Sequence, residues 1–152
     1  MRFLAIDPGT RRVGLAVGDD ATKLASPRDV LEISSPARAI ELILPIIARE
    51  AVDRLVIGLP MNMDGTIGPP ATEAIRWGRA LAGQAGLPVV FVDERLSSFA
   101  AEQQLIERRR AGEKLTHGRK KQQRDALAAA AFLQDYLDGK LAGIDADSID
   151  RS

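Results

Sequence analysis

Apolar residues along the chain fall into two repeating patterns, separated by stretches that follow neither. The first pattern is the short unbroken run. Arg2 to Asp7 (RFLAID) places Phe3, Leu4, Ala5 and Ile6 in succession, and DRLVIGLP (53–60) and PVVFVDERL (88–96) read the same way, as strands covered on both faces. Arg12 to Gly18 follows the first run after a tight DPGTR turn and reads as its antiparallel partner. A third strand around Asp29 to Ile33 completes a meander.

The second pattern is helical. After Ser34, Ser35 and Pro36, residues Ala39, Ile40, Ile43, Leu44, Ile46 and Ile47 recur at helix spacing as far as Glu50, with a kink or break expected at Pro45. Ala71 to Ala85 shows Ile75, Gly78, Leu81 and Ala82 on one face and stops at Gly86-Leu87-Pro88. Ser97 or Ser98 can cap a helix running to about Arg110, and a last helix spans roughly Arg119 to Leu137. Between these elements NMDGTIGPP is loop, and the acidic tail after Gly139 is expected to fray. The order predicts an α/β fold: a five-stranded mixed sheet, antiparallel meander plus two parallel strands, with helices on both faces. Residues 1–138 form one domain in this reading and 139–152 a flexible tail.

Composition narrows the chemistry. At 152 residues and 45% apolar, the chain can bury one ordinary core. It has no cysteine, which excludes disulfides, thiolate metal sites and cysteine nucleophiles and suits a reducing compartment. No apolar run reaches the roughly 18 residues of a membrane span, so a cytoplasmic location is expected. Lys plus Arg and Asp plus Glu both number 21, yet residues 108–124 carry a net +7 and the remainder a net −7. Arg108, Arg109, Arg110, Lys114, Arg119, Lys120, Lys121 and Arg124 therefore form a basic segment suited to phosphates, which give affinity without reading sequence. A solvated helix end is the plain alternative. His117, the only histidine, lies in that segment without a nucleophile elbow elsewhere to serve, and aromatics at 4% argue against base stacking as the principal mode of binding.

Three acids stand where acids are costly. Asp7 ends the first strand and Glu94 the last, and ligands in such sheets bind at the carboxyl ends of the strands. Asp125 has Ala128, Ala129, Phe132 and Leu133 at helical spacing and so continues a stripe that must lie on the sheet. Each has a bland reading: Asp7 as a turn opener before Pro8-Gly9, Glu94 as a surface partner of Arg95, Asp125 as a solvated acid beside Arg124 and Lys121. Together they make an oxygen-ligand site for a hard divalent cation completed by a phosphodiester, and hence a hydrolase.

The segments AIDPGTRRVGLAVGD, VIGLPMNMDGT, VDERLSS and KKQQRDALAAAAFLQDYL, in this order, resemble the YqgF family over about residues 1–138. That family is described as nucleases of pre-16S ribosomal RNA and, in older naming, as Holliday junction resolvase-like proteins with a ribonuclease H-like fold. The resemblance implies that Asp7, Glu94 and Asp125 are catalytic and bind Mg2+ or Mn2+, and that the substrate is nucleic acid, RNA first, within pre-ribosomal particles. Arg11, Arg12 and Arg95 join the basic residues as candidate phosphate contacts through proximity to the acids. Cleavage of four-way DNA junctions is the alternative, and a non-catalytic ribosome-assembly factor a further one. IDPGT also resembles the phosphate-binding opening of actin- and Hsp70-like ATPases, but those need two lobes and this chain has length for one.

Overall fold

The computed structural model describes residues 1–96 and 117–144, with the side chains of the last helix described from Asp125 onward. Strands β1 (Arg2–Asp7), β2 (Arg12–Asp19) and β3 (Leu24–Glu32) form the meander, and helix α1 (Pro36–Arg49) leads to β4 (Arg54–Leu59). Helix α2 (Pro69–Ala85) leads to β5 (Val89–Asp93), which passes into a short 3-10 turn at Glu94–Leu96; α3 (His117–Leu137) closes the fold. The helix expected from Ser97 or Ser98 to Arg110 lies outside the described residues. Strand order is β3-β2-β1-β4-β5, antiparallel from β3 to β1 and parallel from β1 to β5. This is the expected α/β mixed sheet. No helix among the described residues is long and apolar enough to cross a membrane.

Alternation along the strands sends two different residue sets to the two faces. Leu4, Ile6, Val13, Leu15, Leu55, Ile57, Leu59 and Phe91 join α1 and α2 in one core, which α1 enters through Ile40, Ile43, Ile46 and Ile47. Phe3, Ala5, Ala16, Val56 and Val92 meet Ala129, Ala130, Phe132 and Leu133 of α3 in the other. The second set is smaller, and Gly14, Gly18 and Gly58 extend it. A Cβ on Gly14 would collide with the Asp125 carbonyl oxygen, and one on Gly58 would sit 2.9 Å from Phe132 Cε2. The glycines let α3 lie almost on the sheet backbone.

Several boundaries differ from expectation; β5, for one, ends at Asp93 rather than running on to Leu96. Strand β3 begins at Leu24 rather than near Asp29, because its pairing with β2 from Asp19↔Leu24 to Arg12↔Glu32 is set by backbone bonds and a bulge at Leu15/Ala16, not by an apolar pattern. Helix α1 runs through Pro45 without a break: Pro45 is exposed, so the lost donor costs the buried face nothing, and Ser35 caps the start through its Oγ to Arg38 N at 3.1 Å. Instead of fraying at Gly139, the chain runs on to bury Leu141 and to pair Ile144 with Phe91, N to O 2.7 Å.

Candidate active site

The first, fourth and fifth strands end together at the carboxyl edge, as parallel pairing requires. Asp7 is the last residue of β1, half-buried, and faces the α3 side because Phe3 and Ala5 do. Its cross-strand partner is Gly14. Since Gly14 has no side chain, α3 brings Asp125 directly over this pair. Asp125 thus ends the stripe formed by Ala129, Phe132 and Leu133, where the helix emerges from the core.

Glu94 arrives by a different device. Asp93 is buried, 6% exposed, and its carboxylate receives the Arg95 backbone N–H at 3.0 Å and the Arg95 guanidinium through Nε at 3.0 Å and a terminal nitrogen at 2.7 Å. This clasp ends β5 and coils the next three residues into the 3-10 turn, which swings Glu94 toward Asp7. Glu94 Oε2 lies 3.1 Å from the point a Gly58 Cβ would occupy, so this glycine makes room for the carboxylate as well as for Phe132.

The three acids affect one another. Burial first, then the charge of Glu94, a hydrogen bond shared with it and the charge of Asp125 push the Asp7 carboxyl well above its ordinary value of 3.8. Asp7 and Glu94 therefore lie within hydrogen-bonding reach of each other. Asp125 leans instead on Arg12, Oδ2 to Nε 3.4 Å, both side chains 31% exposed. In this arrangement no three acids or histidines among the described residues close around a single point as ligands of one ion.

The basic candidates separate. Arg12 touches an acid of the site, and Arg11 is exposed on the same turn, its carbonyl oxygen accepting the Ile33 N–H at 2.9 Å. Arg95 is exposed but its guanidinium is engaged by Asp93, two residues before it. Arg108, Arg109, Arg110 and Lys114 lie outside the described residues, and the side chains of His117, Arg119, Lys120, Lys121 and Arg124 are not among those described. Sequence reasoning missed Gly14 and Gly58, although the glycines had a signal, since Gly14 and Gly18 in RVGLAVG fall on the same side of one strand.

A family model described as "RuvX: Holliday junction resolvase" matches residues 1–139. A protein of Acidiphilium cryptum (strain JF-5), named "Putative pre-16S rRNA nuclease", is 40% identical over 137 residues, covering 90% of this chain and 84% of that protein. A protein of Caldanaerobacter subterraneus subsp. tengcongensis with the same name is 36% identical over 140 residues, covering 92% and 98%. Among solved structures, that titled "T. thermophilus RuvC in complex with Holliday junction substrate" superposes with a TM-score of 0.57 at 18% identity, over 95% of this chain and 99% of that one. The likeness shows the ribonuclease H-like fold.

Proposed function

The chain belongs to the family described as RuvX, Holliday junction resolvase, and from that premise we propose that it is a divalent-cation-dependent nuclease acting on pre-16S ribosomal RNA. What supports the proposal is that Glu94 and Asp125, from two other elements, approach Asp7 closely enough to act on its carboxyl at the carboxyl edge of the sheet. Asp7, pushed up by burial and by the charges of Glu94 and Asp125, stands where positive charge is short, and an all-oxygen donor set suits Mg2+ or Mn2+. Asp7, Glu94 and Asp125 are the residues that would hold the ion. When bound, it supplies Lewis-acid polarisation of the phosphoryl group and activation of the attacking water.

The chain's own residues contribute the rest. Asp7 and Glu94 would offer carboxylate oxygens to the cation from the end of β1 and from the turn after β5. Arg12 holds Asp125 through Nε, leaving its terminal nitrogens for a phosphate oxygen, and Arg11 reaches a neighbouring phosphate from the same turn. The basic segment 108–124 extends this contact along the nucleic acid. Such work belongs in the cytoplasm, on pre-ribosomal particles.

Cleavage of four-way DNA junctions is the second reading, favoured by the family's description and by the junction-bound structure. Incubating wild type and Asp7→Asn with a pre-16S RNA fragment and with a synthetic junction, in Mg2+ or Mn2+, separates the two. RNA cleavage lost in the variant supports the proposal. Cleavage of the junction alone overturns the RNA assignment, and no cleavage of either leaves a non-catalytic binding role.

A further inference from the structure

On the other side of the Asp7 turn, facing α1 and α2, lies a second recess. It has a volume of about 200 Å3 and its walls include Pro8, Ile33, Pro36, Pro70 and Trp77, with Glu73 at the rim. Small-molecule sites are usually about 300 to 1,000 Å3, so this one has room for a single planar ring system rather than a whole nucleotide or a folded peptide. Its surfaces suit such a ring. Trp77 already donates its one N–H to the Pro36 carbonyl at 2.9 Å, which fixes the indole by its polar edge and leaves apolar surface for the cleft. Anions are poorly served, because α1 and α2 open with Pro36, Pro69 and Pro70, which lack the N–H groups a helix start normally offers, and Glu73 would repel them.

The cleft and the acid site adjoin the same turn, on its two sides. Pro8, in the cleft wall, directly follows Asp7, and neighbouring Cα atoms are about 3.8 Å apart. A nucleic-acid strand with a phosphodiester at Asp7 that rounds the Pro8–Thr10 turn would bring a neighbouring base to the cleft. Glu73 forms no side-chain hydrogen bond or ion pair among the described residues, and it is the only carboxylate lining the recess. Its two acceptor oxygens match a base edge with two adjacent N–H donors. Guanine offers these at N1 and N2, whereas adenine and cytosine offer one amino group and uracil one imide N–H.

We propose that this cleft receives an unpaired guanine of the nucleic-acid substrate, held against Trp77 and read by Glu73. The inference rests on the nuclease reading of the Asp7 site for its choice of ligand, but its test does not use cleavage. Trp77 is the only tryptophan in the chain, so its fluorescence reports on the cleft alone. Wild type and Glu73→Gln are titrated without metal with the uncharged nucleosides guanosine, adenosine, cytidine and uridine. Saturable quenching strongest with guanosine, with the guanine-over-adenine preference falling roughly tenfold in Glu73→Gln, is expected for loss of a two-point contact. Glu73 is exposed, so the variant keeps the fold. No quenching by any nucleoside, or quenching by all four that Glu73→Gln leaves unchanged, overturns the proposal. Nucleosides have no internucleotide bond to cut, so failure here leaves the nuclease reading standing, and failure of the RNA and junction assays leaves this result intact.

Discussion

The two faces of the sheet are filled in opposite ways. Against α1 and α2 the strands present leucine, isoleucine, valine and phenylalanine in a thick apolar layer. Against α3 they present a thinner set in which Ala5, Ala16, Gly14, Gly18 and Gly58 stand among Phe3, Val56 and Val92, and the helix comes close enough for its backbone to meet Gly14. Bulk holds a helix at a distance set by side chains, whereas absence of bulk lets the main chain set it. The thin face carries Asp7, Glu94 and Asp125 because a carboxylate on a closely packed helix reaches a strand end only over a small residue.

The sharpest break of this comparison is chemical. Asp7→Asn should lower cleavage of the physiological substrate on the order of a thousandfold, as loss of a group that stabilises the transition state does, measured as initial rate with Mg2+ in excess. An Ile43→Val change on the thick face should leave that rate alone and cost about 1 kcal/mol of stability. Next comes Gly14→Ala, in which a methyl group meets backbone that cannot rotate away. It should cost roughly 3 kcal/mol in urea unfolding and lower activity with it. A Cβ added at Gly83, on the solvent side of α2, would meet nothing within 4 Å, so Gly83→Ala should be stabilising there.

A smaller effect concerns the proton. Asp7 has a folded-state pKa raised above 3.8, so the folded protein keeps a proton that the unfolded chain releases, and stability falls as pH rises from about that value through the raised one. Metal-free wild type should thus lose melting temperature between mildly acidic and neutral pH. Asp7→Asn should flatten that slope and be more stable at neutral pH by about 1 kcal/mol, the usual trade when a strained active-site group is removed. Adding Mg2+ should raise the wild-type melting temperature and not the variant's. Smallest is the gain from Gly83→Ala, about 0.5 to 1 kcal/mol from helix propensity; no gain would mean that the solvent side of α2 is less open than its surroundings imply.

Much of this was legible in the residues. Runs such as FLAI and LVIGL name their strands because both faces are covered, and Asp125 betrays its position by continuing an alanine and phenylalanine stripe. Strand β3 was harder: SPRD is polar and exposed, and only hydrogen bonds to β2 make it a strand. The turn at Glu94 was hidden for another reason. VDERL reads as one extended run until Asp93 is seen to bind Arg95, two residues on, a local contact that competes with the strand and has no periodicity to reveal it. Glycine is equally silent in a hydrophobicity pattern, since what matters at Gly14 is an atom that is missing.

The sheet has two outer strands, and each would offer unpaired backbone to a second molecule. Strand β3 discourages such pairing with Pro27, Arg28 and Asp29 exposed along it and with the bulge in its pairing to β2. Strand β5 has none of these, and Ile144 bonds to Phe91 across its open side instead. The few residues after Gly139 thus act as a selvedge, covering part of a border that an open edge strand leaves free to pair. Shortening the chain at Gly139 should leave the acids in place and cost the protein its solubility.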